Sequence, residues 1–323
     1  MNASAARWTA LTALSSAVLL TAGCGSGGDD TGSGSDGLTV VAGFYPLEWA
    51  AARVGGDRIS VSSLTPSGAE PHDLELTPQD VAAVGDADLL VYLDGFQPAL
   101  DEAAGSEGGD HAWDAGQVAD LMAAEEHEEG EEGEEGEEHA EEDGHEHGDE
   151  AIDPHFWLDP TRLASVGYAL AERLTELDPD GAATYEENAA ALRADLEALD
   201  GEMEAGLADC AVDTLVTSHD AFGYLADRYG LEVVGISGLS PSQEPDPSQL
   251  AEIATLVRER GVTTVYTETL VDPAVAETVA AEAGVRTAVL DPIEGLTDES
   301  AGGDYLAVMR ANLATLREGQ ECS

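Results

Sequence analysis

Short apolar runs alternate with helical patterns along most of this chain. Seven runs rich in Val, Leu, Ile and Thr predict strands, at residues 38–45, 59–64, 89–93, 214–217, 232–236, 263–267 and 286–290. Between and after the later runs, helical patterns lie near residues 221–229, 247–260, 273–283 and 304–317. Strands that alternate with helices of about ten or more residues predict a parallel sheet in each half of the chain.

The middle of the chain predicts two consecutive helices. The first begins at Pro160, and its apolar side chains recur at spacings of three and four, at Leu163, Val166, Leu170, Leu174 and Leu177. After a Pro/Gly break at residues 178–181, a second apolar stripe covers residues 185–207, which corresponds to roughly 34 Å of helix. We therefore predict an α/β protein with two lobes, residues 38–180 and 210–323, joined by a long helix at residues 181–209.

The first residues have the pattern of a secretory signal. Arg7 is the only charge before an apolar stretch that is too short to span a bilayer and ends at Cys24. The small residues before Cys24 resemble a bacterial lipobox, and a Gly/Ser/Asp-rich tether follows. We predict a signal peptide at residues 1–23, lipidation of Cys24, a tether at residues 24–37, and a location on the outer face of the cell membrane. An ordinary signal peptide with a chance cysteine is the alternative.

The charge of the chain restricts its partners. The 323 residues include 12 Lys+Arg against 67 Asp+Glu, which gives a formal net charge of −55. Nucleic acid is excluded as a partner because phosphate binding needs a basic patch. An anionic membrane surface is disfavoured as an electrostatic dock for the same reason. Cations are the natural partners of such a chain.

One acidic segment stands apart in composition. Residues 125–150 contain acids, glycines and four histidines, His127, His139, His145 and His147, with no large apolar side chain. Such a segment cannot bury enough surface to offset the entropy of ordering, so we predict a disordered loop inserted within the first lobe. Imidazole and carboxylate together form weak zinc sites, although a purely solubilising role is the alternative.

Three other histidines lie in loops between a predicted strand and a helix. They are His72, His155 and His219, and Asp291 ends a further strand. Ligands of open α/β sheets bind at the carboxyl ends of the strands. Three imidazoles and one carboxylate match a first-row divalent cation, zinc above all. A lone histidine is more often structural, so the joint placement of the three carries this prediction.

Cysteine usage predicts at most one disulfide. If Cys24 is lipidated, Cys210 and Cys322 remain, which is an even count in an oxidising compartment. Two free, buried thiols are the alternative.

Four motifs give the chain a family resemblance: residues 68–73 (GAEPHD), 153–160 (DPHFWLDP), 218–224 (SHDAFGY) and 290–292 (LDP). With the lipobox, they resemble the ZnuA-type zinc/manganese solute-binding lipoproteins of ABC transporters (cluster A-I), over about residues 38–320. The resemblance implies metal ligands at His72, His155, His219 and Asp291, and a rigid helix between the lobes. It also implies a monomer that binds Zn²⁺ with high affinity and delivers it to a cognate permease for import.

Two positions qualify the implied ligand set. The manganese-type branch usually has Glu at the third ligand, whereas His219 stands here, so nitrogen shifts the preference from Mn²⁺ toward Zn²⁺. The fourth ligand varies among zinc members, and Glu70, beside the first histidine, is retained as a candidate after Asp291.

Two other function classes compete with uptake. A zinc hydrolase would need a general base beside a metal-bound water, and the sequence contains no HExxH motif, so we expect no enzyme activity. A metal-buffering or adhesion lipoprotein without a transporter is compatible with the same residues.

Overall fold

A four-stranded parallel sheet forms the first half of the protein. The computed structural model describes residues 37–124, 152–243 and 245–323. The strands are β1 (Leu38–Ala42), β2 (Ile59–Ser63), β3 (Leu89–Tyr92) and β4 (Ala112–Asp114). Their order in the sheet is β2-β1-β3-β4, and all neighbours run parallel. Loops that follow β1 and β3 therefore meet at the same edge of this sheet.

Three helices connect these strands, and they are α1 (Tyr45–Gly55), α2 (Pro78–Asp86) and α3 (Pro98–Ala103). A short helix, α4 (Gly116–Ala119), follows β4. Thr77 and Asp80 form a capping box at the start of α2, and the sequence itself predicts this start, because Thr77 can cap a helix and Pro78 fits its first position. Strand β1 ends at Ala42 rather than at residue 45, because α1 begins there with a proline in its first turn.

The second half repeats the same arrangement. Its strands are β5 (Thr214–Thr217), β6 (Glu232–Gly235), β7 (Thr264–Thr267) and β8 (Arg286–Val289), in the order β6-β5-β7-β8 and all parallel. The helices around them are α7 (Gly223–Tyr229), α8 (Pro247–Arg260), α9 (Ala274–Ala283) and α10 (Tyr305–Gly319). The predicted α/β fold with one parallel sheet per lobe is confirmed.

Two long helices, α5 (Pro160–Leu177) and α6 (Ala182–Leu207), lie between the sheets in sequence. Helix α6 has 26 residues, or about 39 Å. It contacts α1 and α5 of the first half and α7 and α10 of the second. The predicted stripe is buried along its length, at Tyr185, Leu192, Leu196, Leu199, Met203 and Leu207. A long helix therefore joins the lobes as predicted, while the exact lobe boundaries remain a prediction.

One apolar cluster extends through both halves. It includes Val40 and Leu89 of the first sheet together with Leu215 and Tyr266 of the second. Trp157 lies fully buried where the halves meet, and its Nε1 donates to the carbonyl of Pro292 at 2.8 Å. The loops near Trp157 and Pro292 are therefore fixed to each other by a buried hydrogen bond.

Cys210 and Cys322 form a disulfide, which confirms the predicted pairing over two free thiols. Within the described residues, no helix has both the length and the apolar character needed to cross a membrane. The predicted signal peptide, Cys24, the tether up to residue 36, and the acidic loop of residues 125–150 lie outside the described residues. Ala123 and Ile152, on either side of that loop, form an antiparallel bridge.

Candidate metal centre

His72 lies in a single 3₁₀ turn, Pro71–Asp73, in the connection after β2. Gln97 fixes this turn from the start of α3, since its Nε2 donates to Pro71 O at 3.1 Å. Glu70 Oε1 accepts from the backbone N–H of His72 at 3.1 Å. The ring of Phe96 meets the imidazole edge to face, with centroids 4.6 Å apart. The imidazole is thereby held by its turn and by an aromatic neighbour.

His155 is held by a carboxylate two residues before it. Asp153 Oδ1 accepts from the backbone N–H of His155 at 2.9 Å and lies 2.7 Å from its Nδ1. The imidazole is fully buried. A carboxylate on Nδ1 orients the ring so that Nε2 is the nitrogen available to a metal.

His219 follows β5 directly and is held in the same manner from the neighbouring strand. Glu268, which follows β7, has both carboxylate oxygens 2.8 Å from His219 Nδ1. Its Oε1 also accepts from the backbone N–H of His219 at 3.1 Å. Both residues are buried. The parallel pairing of β5 with β7 brings these two loops together.

Glu294 completes the group from the loop that follows β8. Its Oε1 lies 3.4 Å from Nε2 of His72, 3.1 Å from Nε2 of His155 and 3.2 Å from Nε2 of His219. The two buried nitrogens of His155 and His219 are 3.4 Å apart. One ligand atom from each of the four residues lies within 4.8 Å of all the others.

The spacing of these atoms suits a small tetrahedral cation. Zinc bonds its nitrogen and oxygen ligands at about 2.0–2.2 Å, so the ligands of a tetrahedral zinc ion lie roughly 3.3–3.6 Å apart. The separations between Glu294 Oε1 and the imidazole nitrogens are 3.1–3.4 Å. His72 Nε2 and Glu294 Oε2 are buried and have no hydrogen-bond partner among the residues that the structure describes. Buried polar atoms without partners, converging on one point, fit a bound cation.

Of the residues predicted from the sequence, the structure brings His72, His155 and His219 together but leaves Asp291 out. The Asp291 carboxylate instead accepts from Ile293 N at 2.8 Å and from Ser300 Oγ at 3.0 Å. The carboxylate beside the imidazoles is that of Glu294, so Glu294 and not Asp291 is the candidate for the fourth ligand. Glu70 is also outside the group. One of its oxygens accepts from the backbone N–H of His72, and the other is buried and has no partner in the described part of the chain.

Burial and the neighbouring carboxylates set the protonation of the imidazoles. Burial lowers the pKa of His72. Burial also opposes protonation of His155, but Asp153 and Glu294 outweigh it and raise the pKa of His155 to about 9. At His219 the opposition of burial is again outweighed, by Glu268 and Glu294, and the pKa lies well above its usual value.

The surroundings shift the pKa values of Glu294 and Glu70 in opposite directions. Burial would raise the pKa of Glu294, but the surrounding imidazoles, His219 foremost, hold it well below its usual value. Burial, together with the charge of Glu294, raises the pKa of Glu70 to about 8. The metal-free centre therefore contains one carboxylate that is ionised and surrounded by imidazoles, two of them protonated near neutral pH.

Comparison with known proteins gives a consistent result. A family profile described as ZnuA, zinc-uptake complex component A periplasmic, matches residues 40–319. The high-affinity zinc uptake system protein ZnuA of Bacillus subtilis is 38% identical over 321 residues, which covers 97% of this chain and 97% of that protein. The zinc-binding lipoprotein AdcA of Streptococcus pneumoniae is 36% identical over 291 residues, 87% of this chain but 55% of AdcA. The chain thus spans about half the length of AdcA.

A solved structure shares the fold. The laminin-binding protein Lmb of Streptococcus agalactiae is described as a bifunctional protein with adhesin and metal transporting activity. It superposes with a TM-score of 0.74 at 32% identity, and the match covers 88% of this chain and 100% of the other.

Proposed function

The chain belongs to the ZnuA family of zinc-uptake components, and we propose that it is the zinc-binding protein of an ABC transporter. In this role it captures Zn²⁺ outside the cytoplasm and delivers it to the permease for import. Zinc is the cargo of the protein. The observation that carries the proposal is the convergence of three imidazole nitrogens and one carboxylate oxygen at the spacing of a tetrahedral ion.

We assign His72, His155, His219 and Glu294 as the four zinc ligands. Two come from the first half of the chain and two from the second. His72, His219 and Glu294 lie in loops between a strand and a helix, whereas His155 lies directly before the turn that leads into α5. Asp153 and Glu268 hold two of the imidazoles from behind, as carboxylates commonly do at zinc sites. The three nitrogen ligands favour zinc over manganese, which prefers oxygen.

The ligand set also argues against catalysis. Catalytic zinc sites keep an open position for water beside three protein ligands, whereas structural sites are closed by four. The four ligands assigned here leave no such position, which supports a binding role over hydrolysis.

The supporting observation for the proposed lipid anchor at Cys24 is the signal-like sequence that precedes it.

Zinc competition with a chelator of known affinity tests the proposal. His155→Ala should lose tight zinc binding by orders of magnitude, because it removes one of four ligands from a buried site. His111→Ala is the matched control, since His111 is bonded to Val84 O at 3.0 Å away from the group. Unchanged zinc affinity in His155→Ala would refute the assigned site.

Growth under zinc limitation tests delivery. Cells that lack the protein should grow poorly in the presence of an extracellular chelator. The wild-type chain should restore growth, and His155→Ala should not. Tight binding in vitro without any effect on growth would instead favour a buffering or adhesion role.

A further inference from the structure

The turn that presents Glu294 contains an unusual backbone conformation. Ile293, immediately before Glu294, has φ of 60° and is fully buried. Among the described non-glycine residues with positive φ, which are Asp120, Ile293 and Glu321, it is the one with a β-branched side chain. Branched side chains are strongly disfavoured there, and such conformations persist only where the surroundings enforce them.

The enforcing contacts centre on Asp291. Its Oδ1 accepts from the backbone N–H of Ile293 at 2.8 Å, and its Oδ2 accepts from Ser300 Oγ at 3.0 Å. The backbone of Asp291 is bonded on both sides by Asn312 of α10, which accepts from its N–H at 3.0 Å and donates to its carbonyl at 2.7 Å. Asp291 is itself 3% exposed. The residue thus links a rigid helix to the strained turn.

We infer that Asp291 is a positioning residue: its carboxylate holds the left-handed conformation of Ile293 and so directs Glu294 to the three imidazoles. This inference rests on the proposed zinc-binding function. Both oxygens of Asp291 already accept from donors of the protein, and Asp291 is not part of the group formed by the three imidazoles and Glu294. Rotation of Ile293 into an ordinary backbone region would turn the chain at Glu294 and withdraw its carboxylate.

Substitution of Asp291 tests this role in the full chain, with zinc buffered by a tight chelator so that only the strongest site is filled. Asp291→Ala removes the acceptor for Ile293 N, and we expect zinc affinity to fall about 10- to 100-fold, as is usual when a supporting residue is lost. Asp291→Asn keeps an acceptor oxygen and should retain most of the affinity. Glu294→Gln alters a proposed ligand, so it gives the loss of zinc affinity expected when the metal contact itself is changed.

A second substitution separates positioning from ligation. Glycine adopts positive φ without strain, so Ile293→Gly in the Asp291→Ala background should restore part of the zinc affinity. The visible absorption of bound Co²⁺ reports the ligand geometry. We expect it to change in Asp291→Ala as it does in Glu294→Gln, and to return toward wild type in the double variant. Circular dichroism and thermal unfolding establish that each variant is folded.

Three results decide the matter. Wild-type affinity in a folded Asp291→Ala would overturn the positioning role, and so would a loss in Asp291→Asn as large as that in Glu294→Gln, which is what a direct ligand predicts. If Asp291→Ala does not fold, the zinc affinities of Asp291→Asn and Glu294→Gln still distinguish a positioning residue from a direct ligand. Absence of tight zinc binding by the wild-type chain would overturn the proposed function itself, which is a different outcome.

Discussion

Zinc binding near pH 7 should release about two protons from the centre. The pKa of His155 is raised to about 9, and that of His219 lies well above its usual value, so both are protonated in the metal-free protein. Burial lowers the pKa of His72, which is therefore neutral. A zinc ion that bonds all three nitrogens must displace the protons of His155 and His219.

The structure sets the size of this effect. Each proton released contributes about 1.4 kcal/mol per pH unit to the binding free energy, so two protons change the dissociation constant about 100-fold per pH unit. At pH 7, removal of the His155 proton alone costs about 3 kcal/mol, because the pKa of His155 is about 9. Zinc affinity should therefore rise steeply between about pH 7 and 8.5.

Calorimetry in buffers of different ionisation enthalpy counts the released protons. The measurement uses a chain in which residues 125–150 are replaced by a short Gly/Ser linker, since Ala123 and Ile152 already pair across that position. Asp153→Asn removes the charge that raises the pKa of His155 and should reduce the count toward one. Glu70→Gln is the control for a proton released by Glu70, because the pKa of Glu70 is about 8 and this carboxyl group also carries a proton at pH 7.

Stability of the metal-free protein should follow the same groups. The folded-state pKa of His155 is raised, so protonated His155 stabilises the folded protein. This contribution to the free energy of unfolding is fully present below about pH 6.5 and is lost as the pH rises through about 9. The melting temperature of the metal-free protein should thus fall over that range, and that of the zinc-loaded protein should fall less. Release of no protons at pH 7, or an affinity independent of pH, would refute the assigned protonation states.

Three further predictions concern other parts of the molecule. His219→Glu should weaken zinc binding and reduce the difference between the zinc and manganese affinities in competition titrations, because it replaces a nitrogen ligand by oxygen. Cys322→Ser should lower the free energy of unfolding by up to about 4–5 kcal/mol in denaturant titrations, since the native disulfide closes a sequence separation of 112. Removal of residues 125–150 should lower the total zinc bound per chain, measured by titration against a chelator, while the tightest site remains intact.

The positions of two of the three histidines could be predicted because they follow from topology. Parallel sheets place the loops after their strands at one edge, and His72 and His219 lie in such loops. Among the described residues, His155 lies instead between α4 and α5 and not directly after a strand. The structure brings the three together as expected. The carboxylates behind two of them, Asp153 and Glu268, were not predicted, because in so acidic a chain no local pattern distinguishes a carboxylate that supports a ligand from one that faces solvent.

Element boundaries were predictable only where a cap or a breaker is explicit. Thr77 and Pro78 predict the start of α2 correctly, because they satisfy its first N–H groups. The predicted strand at residues 38–45 runs too far, although Pro46 and the 3.6-residue spacing of Leu47, Ala51 and Val54 indicate the helix that follows. Strand β4 was missed, since its three residues are too few to show a period.

The fourth ligand shows where sequence reasoning stopped. Asp291 ends a strand at the correct edge, so it satisfies the topological rule, yet its oxygens are bonded within its own turn. Glu294 reaches the imidazoles because Ile293 has a positive φ, a conformation that no propensity assigns to a β-branched residue. A usable signal existed nonetheless, because Glu294 is the one other carboxylate within three residues of Asp291. At a strand end, every carboxylate of the following turn is therefore a candidate ligand. The first of these carboxylates can instead hold the turn in the conformation that places the second one at the metal site.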